Sequence, residues 1–111
     1  MTKIGLEIHC QLTKLESKLF CPCKANYREF EPNHNICPVC MGLPGSLPRL
    51  NQKAVESATS IALALTCDTP EKIAFFRKNY FYPDLPKNFQ ITQLNVYGDM
   101  SVGGEGYVSV E

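Results

Sequence analysis

Residues 21–40 run C-P-C-K-A-N-Y-R-E-F-E-P-N-H-N-I-C-P-V-C and place four cysteines in two close pairs, Cys21-x-Cys23 and Cys37-x-x-Cys40. Each pair can supply two corners of a tetrahedral metal site from one tight turn. The spacing therefore predicts a structural zinc ion held by four thiolates. Gly42 follows the second pair, and its conformational freedom lets the chain leave that turn.

Other states of these thiols stay open on spacing alone. The four cysteines can be reduced thiols beside a lost metal site, or two of them can form a disulfide. A redox C-x-x-C motif ranks lower, because such a motif would not need the second cysteine pair.

Length and composition limit the class of protein. The chain has 111 residues, enough for one domain, and its eleven acidic and eleven basic residues cancel. Bulk charge therefore predicts no affinity for nucleic acid or membranes. The start has no apolar signal region, and no run approaches transmembrane length. Six cysteines without an export signal indicate a reducing cytoplasm and metal binding, with Cys10 and Cys67 as ordinary buried thiols.

Residues 4–12 alternate strictly between apolar and polar side chains, which predicts a half-buried β-strand. Its polar face would place Glu7 and His9 side by side, roughly 7 Å apart at their α-carbons. An acid and an imidazole so placed could share a hard metal ion or position a reacting phosphate. From the pattern alone, a solvated strand face with an incidental ion pair is the favoured interpretation.

The middle of the chain is predicted to form the scaffold of the domain. Residues 41–48 are rich in Pro and Gly but too apolar for a linker, so we expect an ordered, packed loop. Asn51 is a good N-cap for a helix to about Leu65. A strand is expected near 90–93, and Ser101–Glu111 predicts a glycine-tipped hairpin that ends in mid-strand. The apolar helix face comprises Ala54, Ala58, Ile61, Ala62 and Leu65.

Residues 75–87 combine five aromatic residues with three cations, Asn79 and Asp84. Arg77 and Lys78 beside Asn79 suit a phosphate or carboxylate, which needs both charge and directed donors. Aromatic residues among cations also suit stacking on single-stranded nucleic acid. An equally weighted alternative is that the aromatic residues are core and the cations are solvated neighbours.

Four segments of this sequence closely resemble the N-terminal part of the B-subunit family of aspartyl/glutamyl-tRNA amidotransferases. They are I-G-L-E-I-H-C-Q-L at 4–12, S-K-L-F-C-P-C at 17–23, N-I-C-P-V-C-M-G-L-P-G-S-L-P-R-L-N-Q-K-A-V at 35–55 and R-K-N-Y-F-Y-P-D-L-P-K-N-F-Q-I-T-Q at 77–93. Together with the segments between them, the similarity covers nearly the whole chain. The related archaeal E-subunit family shares the opening strand and the cysteines.

The resemblance implies an α+β fold like that of glutamine synthetase, with a mixed or antiparallel sheet, a packed helix and a zinc-knuckle insertion at 17–48. It implies a cytoplasmic carbon–nitrogen ligase that uses ATP and Mg²⁺. Such an enzyme phosphorylates the side-chain carboxylate of Glu or Asp misacylated onto tRNA-Gln or tRNA-Asn. Ammonia, released from glutamine by an amidase (glutaminase) partner known as the A subunit, then displaces the phosphate. The third component of such an assembly is the small C subunit.

Carried over residue by residue, the resemblance assigns Glu7 and His9 to the magnesium and ATP pocket, which overturns the favoured interpretation of that pair. It also assigns a catalytic segment that lines the pocket and the ammonia route. Its residues are Arg77, Lys78, Asn79, Tyr80 and Asp84. The zinc ligands implied by the family are Cys21, Cys23, Cys37 and Cys40.

The sequence departs from the family pattern at two positions and in length. Phe76 stands where the family usually has Asp, and His34 where it usually has Thr. We expect residues 1–111 to be a truncated catalytic domain, since the family's next acidic motif and its tRNA-binding tail would follow Glu111. The chain alone should then be inactive. A hypothesis of another class is a zinc-stapled module that binds RNA or protein without catalysis.

Overall fold

A computed structural model describes residues 1–79, 82–84, 89–93 and 100–110. This part is a small α+β arrangement with one α-helix, α1 (Gln52–Ala64), and a short 3-10 helix, Tyr27–Glu29. Strands β1 (Phe76–Asn79) and β2 (Phe89–Thr92) pair antiparallel. The α+β class and the strand expected near 90–93 are thereby confirmed. None of the helices in the described ranges has the length and apolar character needed to cross a membrane.

Helix α1 begins where the sequence predicts. The side chain of Asn51 accepts a hydrogen bond from the backbone N–H of Ala54 at 3.3 Å, which satisfies one of the free donors of the first turn. The helix ends at Ala64, and Thr66 then adopts a left-handed conformation with φ of 57°. The predicted N-cap and the predicted extent of the helix are therefore correct.

The buried face of α1 is narrower than predicted. Ala54 and Ala62 are buried, whereas Ile61 and Leu65 are exposed. A row of alanines permits the close approach of another backbone, and Gly103 makes that approach. A Cβ on Gly103 would come within 2.8 Å of the Ala62 Cβ. The prediction was wrong for the two larger side chains because helical spacing does not show which neighbour covers the face.

The predicted hairpin at 101–111 is not present in the described residues 101–110, which form no strand. Gly104 instead pairs with Asp68 through two backbone hydrogen bonds of 2.9 and 3.0 Å. Gly103 and Gly106 lie against Cys67, where the space leaves no room for a side chain. The glycines therefore serve close packing on the end of α1 and not a hairpin turn.

The N-terminal strand predicted at 4–12 is also not formed. The backbone of residues 1–12 forms no hydrogen bond with any described residue, and Ile4, Leu6 and Ile8 remain largely exposed. Alternation specifies which side chains share a face. It does not supply the neighbouring strand whose backbone must complete the ladder.

Asn51 also fixes how α1 joins the cysteine segment. Its side-chain amide donates to the Ser17 hydroxyl at 2.7 Å and to the Ser17 carbonyl at 3.2 Å. Its backbone N–H donates to the Leu19 carbonyl at 2.8 Å. One residue thus caps the helix and connects it to the chain entering the first cysteine pair.

We expect Asn51→Ala to destabilise the protein by about 2 kcal/mol. The substitution removes an N-cap, worth about 1 kcal/mol, together with side-chain hydrogen bonds of similar net value. Urea denaturation of the purified protein, followed by the helical circular dichroism signal, measures the loss.

Ser60→Ala is the matched control, since Ser60 lies exposed on α1 and bonds only the Glu56 carbonyl of its own helix. Its effect should stay within about 0.5 kcal/mol. Equal unfolding midpoints for the two variants would show that Asn51 does not anchor the helix.

Candidate metal centre

The first cysteine pair lies in a tight reversal of the chain. Lys18 donates its backbone N–H to the Cys23 carbonyl at 2.8 Å, and Ala25 donates to the Glu16 carbonyl at 2.9 Å. These bonds hold the chain on either side of Pro22 in antiparallel pairing. Cys21 and Cys23 therefore project from one short turn, and Cys21 is one of the buried residues.

The second pair lies in a compact knuckle. The backbone N–H of Met41 donates to the Cys37 carbonyl, and that of Leu43 donates to the Pro38 carbonyl, both at 3.0 Å. The Cys40 sulfur accepts the Cys37 backbone N–H at 3.0 Å. Gly42 leaves the knuckle with φ of 67°, a conformation that glycine adopts without steric cost. This confirms the role predicted for Gly42.

The two turns bring the four sulfur atoms together, all within 4.8 Å of one another. In a tetrahedral site with zinc–sulfur bonds of about 2.3 Å, neighbouring sulfurs are about 3.8 Å apart. The cluster thus needs at most a small contraction to reach zinc geometry, and thiolates are ligands that zinc prefers. Within the described ranges no other group of three or more His, Cys, Asp or Glu side chains converges in this way. The four cysteines predicted as ligands can therefore hold a zinc ion.

The thiols of the cluster differ in acidity. The Cys40 backbone N–H stabilises the Cys37 thiolate and lowers the pKa of Cys37 to about 7. Burial, followed by thiol contacts with Cys37 and Cys21, raises the pKa of Cys23 to about 12. Burial also raises the pKa of Cys21. Of these three thiols, Cys37 is thus the one that most readily forms a thiolate.

All six cysteines, each within the described residues, are free of disulfide bonds. The disulfide alternative is therefore not seen. Cys10 is exposed, so the expectation of a buried thiol was wrong there, and Cys67 is only half-buried. The unformed strand at 4–12 explains the exposure of Cys10, since the apolar face that would bury Cys10 has no cover.

Glu7 and His9 contact each other as predicted, with His9 Nε2 3.0 Å from Glu7 Oε1. The contact forms even though no strand ladder is present, because residues two apart in an extended chain still share a face. Both side chains are more than four-fifths exposed. No hydrogen bond or ion pair joins either residue to Arg77 or Asp84, all four being within the described residues.

The predicted catalytic segment lies on and after β1. Arg77, Lys78 and Asn79 occupy the strand with exposed side chains, and Asp84 is exposed beyond it. Tyr80 lies outside the described residues. The charged side chains of this segment that the structure describes therefore lie at the surface.

Two contacts that the sequence did not predict join the cysteine segment to β1. The Arg77 guanidinium donates to the Ser46 carbonyl at 3.0 Å, in the loop that follows the knuckle. The ring of Phe20 meets that of Phe75 edge to face, with centroids 5.1 Å apart. The sequence shows Phe20 beside the first cysteine pair, and it shows the cation Arg77. It does not show the partner of either residue, which lies thirty or more positions away.

The chain resembles known proteins along almost its entire length. Residues 2–111 match the family model described as the GatB/GatE catalytic domain. A protein of Methanococcoides burtonii, named as the B subunit of aspartyl/glutamyl-tRNA(Asn/Gln) amidotransferase, is 53% identical over 108 residues, which is 97% of this chain. A protein of the same name from Saccharolobus solfataricus is 49% identical over 110 residues, or 99% of the chain.

The aligned region is a fraction of each relative, 22% of the first and 23% of the second. The chain therefore spans about a fifth of the length of these curated relatives. The matched range nevertheless spans the positions of all four clustered cysteines, Glu7 and His9, and β1. On this similarity, the chain belongs to the GatB/GatE catalytic domain family.

Proposed function

We propose that this chain is part of the B subunit of an ATP-dependent tRNA amidotransferase that converts Glu or Asp, misacylated on tRNA-Gln or tRNA-Asn, into the amide. The observation that carries the proposal is the family match over residues 2–111, with relatives named for this reaction. A zinc-stapled binding module without catalysis is not favoured, because the similarity extends to segments outside the cysteine cluster.

The proposed chemistry has two steps. The side-chain carboxylate of the aminoacyl group attacks the terminal phosphorus of ATP, and the bond to ADP breaks to give an acyl phosphate. Ammonia then attacks the acyl carbon, loses a proton and expels inorganic phosphate, which leaves an amide. Both steps gather negative charge on phosphate oxygens, so cationic side chains near the reacting group lower the barrier.

Glu7 and His9 are proposed to contribute to the magnesium and ATP pocket. The Glu7 carboxylate is a hard oxygen donor of the kind that magnesium prefers. His9 lies against that carboxylate and can orient it, as second-sphere partners do in metal sites. Magnesium needs about six oxygen ligands including water, so Glu7 would supply one position. When bound, the ion would offset charge on the transferring phosphoryl group.

The catalytic segment is proposed to hold the phosphorylated carboxylate. Arg77 and Lys78 are exposed cations on β1 that suit a phosphoryl oxygen, and Asn79 adds a directed amide donor. Asp84 could accept a proton from incoming ammonia. Tyr80 completes the proposed set. Phe76 is half-buried on the same strand, so a half-buried apolar ring stands there in place of the family's usual carboxylate.

The four cysteines are proposed to bind a structural zinc ion, because their sulfur atoms already converge from two preset turns. Their free state also agrees with a reducing cytoplasm, where we propose the protein acts. The partners proposed are the glutaminase (A) and small (C) components of the amidotransferase, together with misacylated tRNA. Within such a protein the domain is proposed to have a glutamine synthetase-like fold, whose sheet would cover Ile4, Leu6 and Ile8.

We expect Cys37→Ser to abolish stoichiometric zinc binding, since the hydroxyl is a poor replacement for a thiolate ligand. Metal-binding free energy contributes directly to folding in small sites, so residues 17–48 should be the first to open. Elemental analysis after purification under reducing conditions measures the zinc, and limited proteolysis locates the opening.

Cys10→Ser is the control, because Cys10 is exposed and lies outside the cluster. It should retain about one zinc per chain. The zinc assignment would be wrong if the unsubstituted protein carried no zinc and all four clustered thiols were titratable.

We expect Glu7→Gln, made in the complete enzyme, to slow ATP cleavage that depends on misacylated tRNA. The amide keeps the shape of the side chain but loses the charge that would hold magnesium. Losing a catalytic metal contact should cost on the order of 3 kcal/mol in transition-state stabilisation, about a hundredfold in rate. A magnesium titration should show the midpoint shifted to higher concentration, while glutamine hydrolysis by the glutaminase partner stays unchanged.

Glu71→Gln is the matched control, since Glu71 is exposed just ahead of β1 and lies outside the proposed pocket. Its effect should be confined to stability, within about 0.5 kcal/mol. If Glu7→Gln kept the parent rate and an unshifted magnesium midpoint, Glu7 would be an ordinary solvated residue and not a magnesium ligand.

We expect the 111-residue chain by itself to lack amidotransferase activity, because it covers about a fifth of its relatives and provides one proposed magnesium ligand. Incubation with ATP, ammonia and Glu-tRNA, followed by analysis of the released amino acid, tests this. Any ATP-dependent formation of glutamine would show that residues 1–111 already contain a complete site.

A further inference from the structure

Lys18 connects the two halves of the cysteine cluster. Its backbone N–H donates to the Cys23 carbonyl at 2.8 Å, in the turn of the first pair. Its side chain crosses to the second half, where Nζ donates to the Asn35 carbonyl at 2.6 Å and lies 3.8 Å from the Cys40 sulfur. Lys18 is half-buried, so water does not fully screen its charge from the sulfur.

A strong bond to a carbonyl keeps this ammonium in place. The Asn35 side chain in turn donates to the Lys24 carbonyl at 2.9 Å, which holds the accepting loop against the first turn. Lys24 itself points elsewhere, with Nζ 5.9 Å from the centre of the Phe30 ring. The two lysines flank the same cysteine pair in sequence, but Lys18 is the one whose charge lies at a sulfur.

Four thiolates around a divalent zinc ion leave two excess negative charges in a partly buried site. Such charge is costly where water is excluded, unless a cation or hydrogen-bond donors face it. A lysine beside one sulfur offsets part of this excess negative charge and thereby stabilises the zinc-loaded site. Partners of this kind outside the ligand shell commonly change metal affinity by about ten- to a hundredfold.

We propose that Lys18 is a positioning and charge-compensating residue of the cysteine site, which raises its affinity for zinc through the ammonium beside Cys40. The inference rests on the zinc binding proposed above. It assigns Lys18 a role toward the metal that goes beyond packing of the turn.

The test is a zinc titration of the purified protein against a competing chelator. Lys18→Met keeps the aliphatic stem and removes the charge, and it should weaken zinc binding by about tenfold or more. Lys18→Arg keeps the charge and should retain most of the affinity. Lys24→Met is the matched control and should bind zinc like the unsubstituted protein.

Cobalt in place of zinc gives a second readout. Its thiolate-to-cobalt absorption band should move to lower energy in Lys18→Met, because the sulfur lone pairs lose a stabilising positive charge. The band should stay in place in Lys18→Arg. A lysine that merely anchored the loop at Asn35 would weaken binding in the Met variant without moving this band.

The outcomes separate the two proposals. Parent-like zinc affinity in Lys18→Met, or weaker binding with an unmoved cobalt band, would overturn the role of Lys18 and leave the zinc site standing. If the unsubstituted protein bound no zinc, both proposals would fall. Should Lys18→Met not fold, Lys18→Gln takes its place in both measurements, because it also removes the charge. A tenfold weaker affinity with the band moved to lower energy then supports charge compensation, and an unmoved band contradicts it.

Discussion

The convergence of four thiols on one point is the constraint on which the described structure depends. Very little apolar surface is removed from water here, for the buried residues in the described ranges are Cys21, Ala54 and Ala62. Residues 17–51 are instead held by backbone hydrogen bonds around two turns and by the meeting of their sulfurs. A small unit with so slight a core gains most from a metal, because binding energy then replaces missing burial.

The cysteine segment is also in contact with the strand proposed to carry the chemistry. The knuckle continues into the loop whose Ser46 carbonyl accepts the Arg77 guanidinium, and Phe20 packs on Phe75 just ahead of β1. A metal bound by these cysteines would thus have a physical route to the proposed phosphate-binding strand, since it would fix the loop whose carbonyl accepts the Arg77 guanidinium. Zinc in this family member would help to position Arg77 as well as stabilise the fold, without touching any reacting atom.

Features encoded by neighbouring residues could be predicted from the sequence, and features that need a distant partner could not. Cysteine spacing predicted the cluster, and Asn51 predicted the start of α1, because each depends on one turn. The Glu7–His9 contact followed from a period of two that holds in any extended chain. The strand at 4–12 and the hairpin at 101–111 failed, since alternation and glycine content do not specify which backbone lies alongside. The Arg77–Ser46 contact escaped prediction for the same reason.

The close packing of Gly103 and Gly106 on the end of α1 has a consequence for how this sequence can vary. A methyl group at 103 would overlap Ala62 and Cys67, while one at 106 would press on Cys67 and the Leu65 carbonyl. Substitution at either glycine is thus tolerable only together with a smaller residue opposite, and Ala62 can shrink only to glycine. Related sequences should accordingly show paired changes between 103 or 106 and 67, so that covariation marks this contact even where each position looks variable alone.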